Sequence, residues 1–160
     1  MIGINSQIRS ESGNAEGVGF AVPINAARRT MQQLLATGKV TYAYVGLTSE
    51  DLTPGLARRF HYPVRYGAVI TSVRPGSPGA KAGLRGGSEE QAFNGETFTY
   101  GGDVLVAIDG HPVRNSSDVV RIVTELRPGA TSTFTFYRDG SRRQVRIVLA
   151  ERPENPDGGR

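Results

Sequence analysis

Apolar residues change their spacing within one short stretch of the chain, residues 102–126. Val104 to Ile108 is an almost continuous apolar run, which predicts a buried strand. Asp109-Gly110 follows as a turn that tolerates positive φ, and Ser116 or Ser117 can cap the next element. That element is predicted to be an amphipathic helix, because four apolar residues recur at i, i+3, i+4 and i+7: Val119, Ile122, Val123 and Leu126.

Caps and turns predict the other elements. A helix is expected over Asn25 to Thr37, with Asn25 as its cap and Gly38 as its end. Thr53-Pro54 and Ser77-Pro78 are typical starts of short helices. Three further strands are predicted, over Ala68 to Val73, Thr131 to Arg138 and Arg142 to Ala150.

Residues 85–101 carry a separate hairpin signal. Asn94-Gly95 is a turn pair that is flanked by Phe93, Phe98 and Tyr100. Such a hairpin has three interpretations: a lid, a partner surface, or decoration. We take decoration as the default expectation, because surface loops tolerate insertions at little cost in free energy.

The composition is typical of a soluble globular protein, with 38% hydrophobic and 21% charged residues among 160. Cysteine is absent, which excludes disulfides and Cys-ligated metals. No histidine pair has metal-ligand spacing and no glycine-rich phosphate loop precedes a helix, so we expect no metal and no cofactor. The sequence contains no run of about 18 apolar residues, so no transmembrane segment is predicted. No stretch of it resembles a targeting signal.

The net charge of +4 and the isoelectric point near 9.8 raise the question of a nucleic-acid partner. Arg142, Arg143 and Arg146 cluster near a predicted hairpin turn at Asp139-Gly140. They alternate with apolar residues that would face the core, namely Val145, Ile147 and Leu149. We therefore interpret the arginines as the solvated face of an edge hairpin and expect no nucleic-acid partner.

The order of elements over residues 102–126 resembles the PDZ family, whose strand reads roughly GDxIxxINGxxV before a groove-lining helix. Ala43-Tyr44-Val45-Gly46-Leu47 is similar to the carboxylate-binding loop of PDZ domains in HtrA/Deg serine proteases. Gly46 matters physically, because backbone N–H groups converge on a carboxylate only where no Cβ obstructs the bend. The fold implied is α+β and mainly β, a partly open barrel or sandwich with two to three helices, circularly permuted relative to many eukaryotic PDZ domains.

The resemblance implies a peptide-binding site. Its carboxylate-binding loop would be Tyr44, Val45, Gly46 and Leu47, and its groove would be formed by five residues: Thr48, Ser49, Val119, Ile122 and Val123. Val119 stands where many eukaryotic members carry histidine, so we expect a preference for hydrophobic C-termini. The alternative for Val119 and Val123 is that both are plain core residues.

Upstream, Ile2 to Ile8 and Gly17 to Pro23 are similar to the last two strands of the trypsin-like barrel in HtrA/Deg proteases. The family's nucleophile motif, GNSGG, would precede them and is absent. His61 and His111 are the only histidines, and neither has a setting like the family's catalytic base. We therefore expect no catalytic residues in this chain and a longer parent that is a serine endopeptidase. Met1 would then be a truncation, an engineered start or the start of an incomplete gene product.

Four segments are expected: barrel strands over 1–24, a linker helix over 25–39, a PDZ domain over 40–151 with the insertion near 85–101, and a disordered tail over 152–160. The resemblance implies a module that recognises hydrophobic C-termini or exposed extended segments of misfolded proteins by β-augmentation and that regulates the protease. The predicted partners are peptides or C-termini of unfolded proteins and the parent's protease domain, in a periplasmic or cell-envelope setting, with homo-oligomers formed through the parent. The alternative function is a structural PDZ domain whose groove contacts a neighbouring subunit or its own linker. A PDZ domain of a site-2 or tail-specific protease is disfavoured, because neither explains Ile2 to Asn5 with Gly17 to Pro23.

Overall fold

This computed structural model describes residues 3–9, 18–93 and 95–153. The chain divides into two compact units, residues 1–41 and 42–160. Of the tail expected at 152–160, Arg152 and Pro153 belong to neither a helix nor a strand, and residues 154–160 lie outside the described part. Asn94, half of the predicted hairpin turn, lies outside it too.

The described residues of the first unit, 3–9 and 18–41, form two strands and one helix. Strands β1 (Gly3–Arg9) and β2 (Val18–Pro23) pair antiparallel, with an irregularity between Asn5 and Gln7. Helix α1 (Ile24–Thr37) ends as expected at Gly38, whose φ of 72° and N–H bond to the Leu34 carbonyl form a left-handed cap. The predicted cap at Asn25 is wrong, because the helix begins one residue earlier, directly after Pro23, with no side-chain cap.

The second unit is mainly β, as expected, and three helices occur where the structure describes it, over residues 42–93 and 95–153. Its elements, in chain order, are β3 (Ala43–Tyr44), β4 (Leu47–Leu52), α2 (Pro54–Arg59), β5 (Gly67–Val73), α3 (Pro78–Lys81), β6 (Glu89–Phe93), β7 (Glu96–Tyr100), β8 (Val104–Ile108), β9 (His111–Pro112), α4 (Ser116–Glu125), β10 (Thr131–Arg138), β11 (Ser141–Val148) and β12 (Ala150–Glu151). Thr53 and Ser77 cap α2 and α3 as predicted.

One antiparallel sheet organises this unit, with the strand order β11-β10-β8-β5-β4 and β9 paired to β8. Two tight turns join neighbouring strands at Asp109-Gly110 and Asp139-Gly140, and all four residues have positive φ, as a type I′ hairpin turn requires. Separately, β12 pairs with β3. The last strand of the domain is thereby brought beside Tyr44, the first residue of the predicted loop.

The two faces of the sheet bury different apolar clusters, because successive side chains of a strand point to opposite faces. On β5, Ala68 and Ile70 belong to the first cluster and Val69 belongs to the second. The first cluster also takes Val119 and Ile122 from α4, whereas the second takes Leu56 from α2. Helix α4 therefore belongs to the first face of the sheet and α2 to the second.

The inserted hairpin is β6 paired with β7, as the sequence predicts. The expectation that it is mere decoration is wrong. Phe98 is only 5% exposed within the second cluster, and the ring of Tyr100 stacks on that of Phe60 with centroids 4.7 Å apart. The hairpin therefore completes the second apolar cluster, and the buried area of its aromatic side chains stabilises the unit.

A buried ion pair ties the centre of the sheet to the loop that precedes the insertion. The carboxylate of Asp103, 1% exposed, accepts bonds of 2.6 Å from both Nε and Nη2 of Arg138 and one of 2.8 Å from the Arg85 N–H. Arg138 also donates to the Gly83 carbonyl at 2.7 Å. These bonds to Asp103 raise the pKa of the Arg138 guanidinium.

Candidate functional site

The predicted loop is the bend that joins β3 to β4. Tyr44 ends β3, Leu47 begins β4, and Val45-Gly46 lie between them. Gly46 has φ +80°, and a Cβ there would lie 2.3 Å from the Cβ of Ser77. Only glycine fits this position, because a side chain would meet both an unfavourable backbone conformation and an occupied space.

Hydrogen bonds from the segment after β5 hold the carbonyl groups of this bend. The Gly79 N–H donates to the Val45 carbonyl at 2.8 Å, and the Arg74 N–H donates to the Gly46 carbonyl at 2.8 Å. The Ser77 hydroxyl donates to the same Gly46 oxygen at 3.3 Å. The conformation of the bend is thus fixed by groups distant in sequence.

This anchoring also sets the direction of two backbone donors. The structure has no cis peptide among its described residues, so each N–H points opposite to the carbonyl of the preceding residue. The N–H groups of Gly46 and Leu47 therefore point away from residues 74–79, which bind the Val45 and Gly46 carbonyls. Within the described part of the chain, the Gly46 N–H has no acceptor, so it is available to a ligand.

A groove of about 840 Å³ opens between β4, which is an end strand of the sheet, and helix α4. We call it the β4–α4 groove. Eight of the nine predicted site residues line it: Tyr44, Val45, Gly46, Leu47, Thr48, Ser49, Val119 and Val123. Ten others also line it: Ala43, Ser72, Val73, Arg74, Pro75, Ser116, Ser117, Val120, Thr124 and Arg152.

Ile122 does not line the groove, so its assignment there is corrected. It is 5% exposed and packs in the first apolar cluster. Successive residues of a helix are rotated by about 100°, which turns Ile122 inward while Val119 and Val123 share the groove side. Val119 both lines the groove and packs in the first cluster, so it is a groove residue and a core residue at the same time.

Polar contacts at the first turn of α4 position the helix. The cap is Asn115, whose side chain accepts from the Asp118 N–H at 2.9 Å, so the prediction of Ser116 or Ser117 is wrong by one or two residues. Asp118 accepts from the Arg114 N–H at 3.0 Å and from Arg121 at 2.9 Å. The Arg114 N–H and then Arg121 lower the pKa of the Asp118 carboxyl, because each stabilises its charged form.

The charge lining the groove is positive. Arg74 and Arg152 both line it, and among the described residues that line it there is no Asp or Glu. The backbone of Arg74 bonds to Gly46, and the Arg152 N–H donates to the Tyr42 carbonyl at 2.9 Å, so both arginines belong to the loop end. Two cationic side chains therefore accompany the backbone donors of the bend.

Other chemistries find no support in the part of the chain that the structure describes. No group of three or more His, Asp or Glu side chains is placed to hold a metal ion among the described residues. His61 and His111 are exposed, and neither makes a hydrogen bond to a serine or a carboxylate within that part. None of the described helices has the length and apolar character needed to span a membrane.

Comparison with known proteins matches the sequence profile of the PDZ domain to residues 43–149. A protein from Ectopseudomonas mendocina named "Probable periplasmic serine endoprotease DegP-like" is 32% identical over 154 residues, which are 96% of this chain and 29% of that protein. A relative of the same name from Rhizobium meliloti is 30% identical and covers 97% of this chain and 28% of its own length. The chain thus spans less than a third of the length of these relatives.

The chain is also similar to solved structures of proteases. The HtrA-type protease AlgW with decapeptide superposes with a TM-score of 0.73 at 29% identity, covering 96% of this chain and 42% of that one. AlgW with tripeptide gives 0.73 at 28% identity, covering 99% and 48%. A serine endoprotease from Yersinia pestis gives 0.59 at 26% identity, covering 94% and 43%. Each similarity includes residues from both units of the chain.

Proposed function

The chain belongs to the PDZ domain family and is similar over nearly its whole length to DegP-like and HtrA-type serine proteases, and from that premise we propose that its β4–α4 groove binds the C-terminal end of an apolar peptide. The observation that carries the proposal is the bend at Gly46. Its carbonyls are bonded to the protein, while the N–H groups of Gly46 and Leu47 point the other way. Aligned donors beside Arg74 and Arg152 suit a carboxylate.

The rest of the peptide would extend along β4. As an end strand of the sheet, β4 leaves one row of its backbone groups without a neighbouring strand. The Arg74 N–H bond to the Gly46 carbonyl is the bond that flanks the pair Leu47↔Val73, so Leu47 directs its own backbone groups toward the open edge. An extended peptide can therefore add to β4 as a further strand.

The side chains of the groove favour an apolar ligand. Val119 and Val123 form its helical wall, and the exposed Val120 lies at its rim. None of the three donates or accepts a hydrogen bond through its side chain, so a hydroxyl or amide buried against them would lose its bonds to water. We expect peptides ending in residues such as Val, Leu or Phe to bind better than those with polar ends.

The wider role follows from the relatives. We propose that the parent is a periplasmic serine endoprotease, that residues 1–24 are the last strands of its protease domain, and that 25–39 is a linker helix before a PDZ domain at 40–151. The two relatives named above are called periplasmic endoproteases, and AlgW was solved with peptides. The groove would then present misfolded proteins to the parent and regulate it, while this chain alone hydrolyses no peptide.

Fluorescence polarisation with short labelled peptides tests the binding proposal. Each apolar peptide is paired with its C-terminal amide, in which a neutral carboxamide replaces the terminal carboxylate. We expect the free acid to bind at least about tenfold more tightly, since losing one charge-assisted contact set costs about 1.4 kcal/mol or more. Gly46→Glu should abolish binding, because the new side chain would occupy the space of Ser77.

Gly110→Glu is the matched control, because Gly110 has φ +79° and open space around it, away from the groove. It should bind as the wild type does. Equal affinity for acids and amides would contradict the carboxylate site. An absence of binding to every peptide would favour the alternative function, an assembly domain whose groove is filled by a neighbouring subunit or by its own linker.

A further inference from the structure

The two walls of the β4–α4 groove are joined at one end by a contact that the proposed binding does not use. Asp51, on the exposed edge strand β4, accepts a bond of 2.8 Å from the Ser116 N–H and one of 2.5 Å from the Ser116 hydroxyl, at the first turn of α4. We call this pair the Asp51–Ser116 clasp. A carboxylate at a helix N-terminus is stabilised by the unpaired N–H groups and by the helix dipole.

The groove stops where the clasp begins. Leu47, Thr48 and Ser49 of β4 line it, whereas Glu50, Asp51 and Leu52 do not. The pairing register of β4 with β5 also shifts between Thr48 and Ser49, where β5 carries one extra residue, Thr71. The shift in strand pairing and the Asp51–Ser116 bonds therefore lie at the same end of the groove.

We propose that the Asp51–Ser116 clasp fixes the spacing of the two walls and limits the groove to about four ligand residues, one at the Gly46 bend and one opposite each of the three β4 residues that line it. This inference rests on the proposed peptide binding and makes Asp51 a specificity-determining residue. Ligand residues further upstream must leave the groove at the clasp. The site is thus built to read the end of a chain and not a long internal segment.

Affinity as a function of peptide length tests the proposal. The probes share one apolar C-terminus and are extended at their N-terminus from about three to about eight residues. In the wild type the affinity should rise up to about four residues and then change by less than about twofold. In Asp51→Ala the affinity should continue to rise, by about three- to tenfold at the longest peptide, because added strand pairs each contribute modestly.

Two further variants separate the clasp from general stability. Asp51→Asn retains an oxygen that accepts both Ser116 bonds, so its length profile should match the wild type. Glu50→Ala, at the exposed neighbouring position of β4, should match it too. Ser116→Ala removes only the hydroxyl bond and should give an intermediate profile, and it replaces Asp51→Ala if that variant does not fold.

The outcomes are distinct. A plateau at the same length in Asp51→Ala and in the wild type overturns the clasp, even if the variant melts at a lower temperature. A continued rise in the wild type also overturns it. Wild-type protein that binds no peptide of any length overturns the proposed function and this inference together, and that result differs visibly from a plateau that does not move.

Discussion

The two end strands of the central sheet, β4 and β11, have the same open backbone but very different surroundings. On β4, the residues that line the groove are Leu47, Thr48 and Ser49, with the apolar wall of α4 across from them. On β11, exposed arginines stand at positions 142, 143 and 146, and within the described part of the chain the only strand beside it is β10. Both edges have backbone groups that could pair with an added strand, and the groove of about 840 Å³ lies along β4.

The difference shows what turns a sheet edge into a candidate binding site. An unprotected edge invites pairing with any chain, and charged side chains discourage it. The β4 edge adds two features to its backbone: a bend that directs the N–H groups of Gly46 and Leu47 away from residues 74–79, and the apolar wall of α4. Among the described residues, β11 is flanked by no such bend, and its arginines are exposed, as the sequence predicts for a solvated face.

The largest expected effect comes from the ion pair that lies between the two edges. Asp103→Ala leaves Arg138, whose side chain is 13% exposed, without its carboxylate partner. Removing one partner of a buried pair costs about 3–5 kcal/mol of unfolding free energy. Urea denaturation should show this loss, and hydrogen exchange should rise at both edges equally. Glu125→Ala, at an exposed position, is the control, and a loss below about 1 kcal/mol would contradict the account.

The second-largest expected effect is confined to the β4 edge. Gly46→Ala combines an unfavourable φ of +80° with a clash at Ser77, at a cost of about 2–4 kcal/mol in stability and about tenfold or more in peptide affinity. Gly110→Ala has the same backbone strain without a clash and should keep its affinity. Thermal melts and fluorescence polarisation measure the two quantities. Equal affinities in the two variants would show that the bend does not form the site.

A third change removes the arginines of the β11 edge. Replacing Arg142, Arg143 and Arg146 together by serine should change the stability by no more than about 0.5 kcal/mol and leave peptide affinity intact. It should, however, promote concentration-dependent association through β11, which sedimentation velocity detects. The control replaces Arg58, Arg65 and Arg127 by serine and removes the same charge elsewhere. Equal association in both variants would point to net charge as the cause.

The smallest expected effect is on the stability of the protein at acidic pH. Because the pKa of Asp118 is lowered in the folded protein, its carboxylate stabilises the fold above the unfolded pKa of about 4, and this contribution is lost as the pH falls through the lowered value. Asp118 lies near the surface, so the effect is small. Asp118→Asn should reduce the acid dependence of urea unfolding below about pH 4. An unchanged profile would contradict this assignment.

Much of the fold could be predicted because its signals are local. The β8 strand, the turns at Asp109-Gly110 and Asp139-Gly140, and the caps Thr53 and Ser77 each depend on a few adjacent residues. The cap of α4 could not be chosen this way. Asn115, Ser116 and Ser117 are all good caps, and the bond between Ser116 and Asp51, which is distant in sequence, accompanies the choice of Asn115.

In the candidate site, too, some residues have a local signal in the sequence and others are placed by contacts between distant elements. The loop residues 44–47 are contiguous, and their resemblance to the carboxylate-binding loop of HtrA/Deg PDZ domains was the basis for proposing them. Arg152 had no such signal, because it reaches the groove only through the pairing of β12 with β3. The inserted hairpin was predicted from Asn94-Gly95, but its packing against Phe60 depends on a contact between distant elements. Long-range contacts of this kind leave no periodic trace in a sequence.

The proposed peptide-binding site lies at the β4 edge and not at the β11 edge. Amide NMR shifts during titration with an apolar peptide distinguish the two edges, because the amide signals of each strand are resolved separately. We expect saturable shifts at Gly46, Leu47 and the groove side of α4, with no shifts along Ser141–Val148. Shifts centred on β11, or equal shifts with the C-terminal amide of the same peptide, would contradict it.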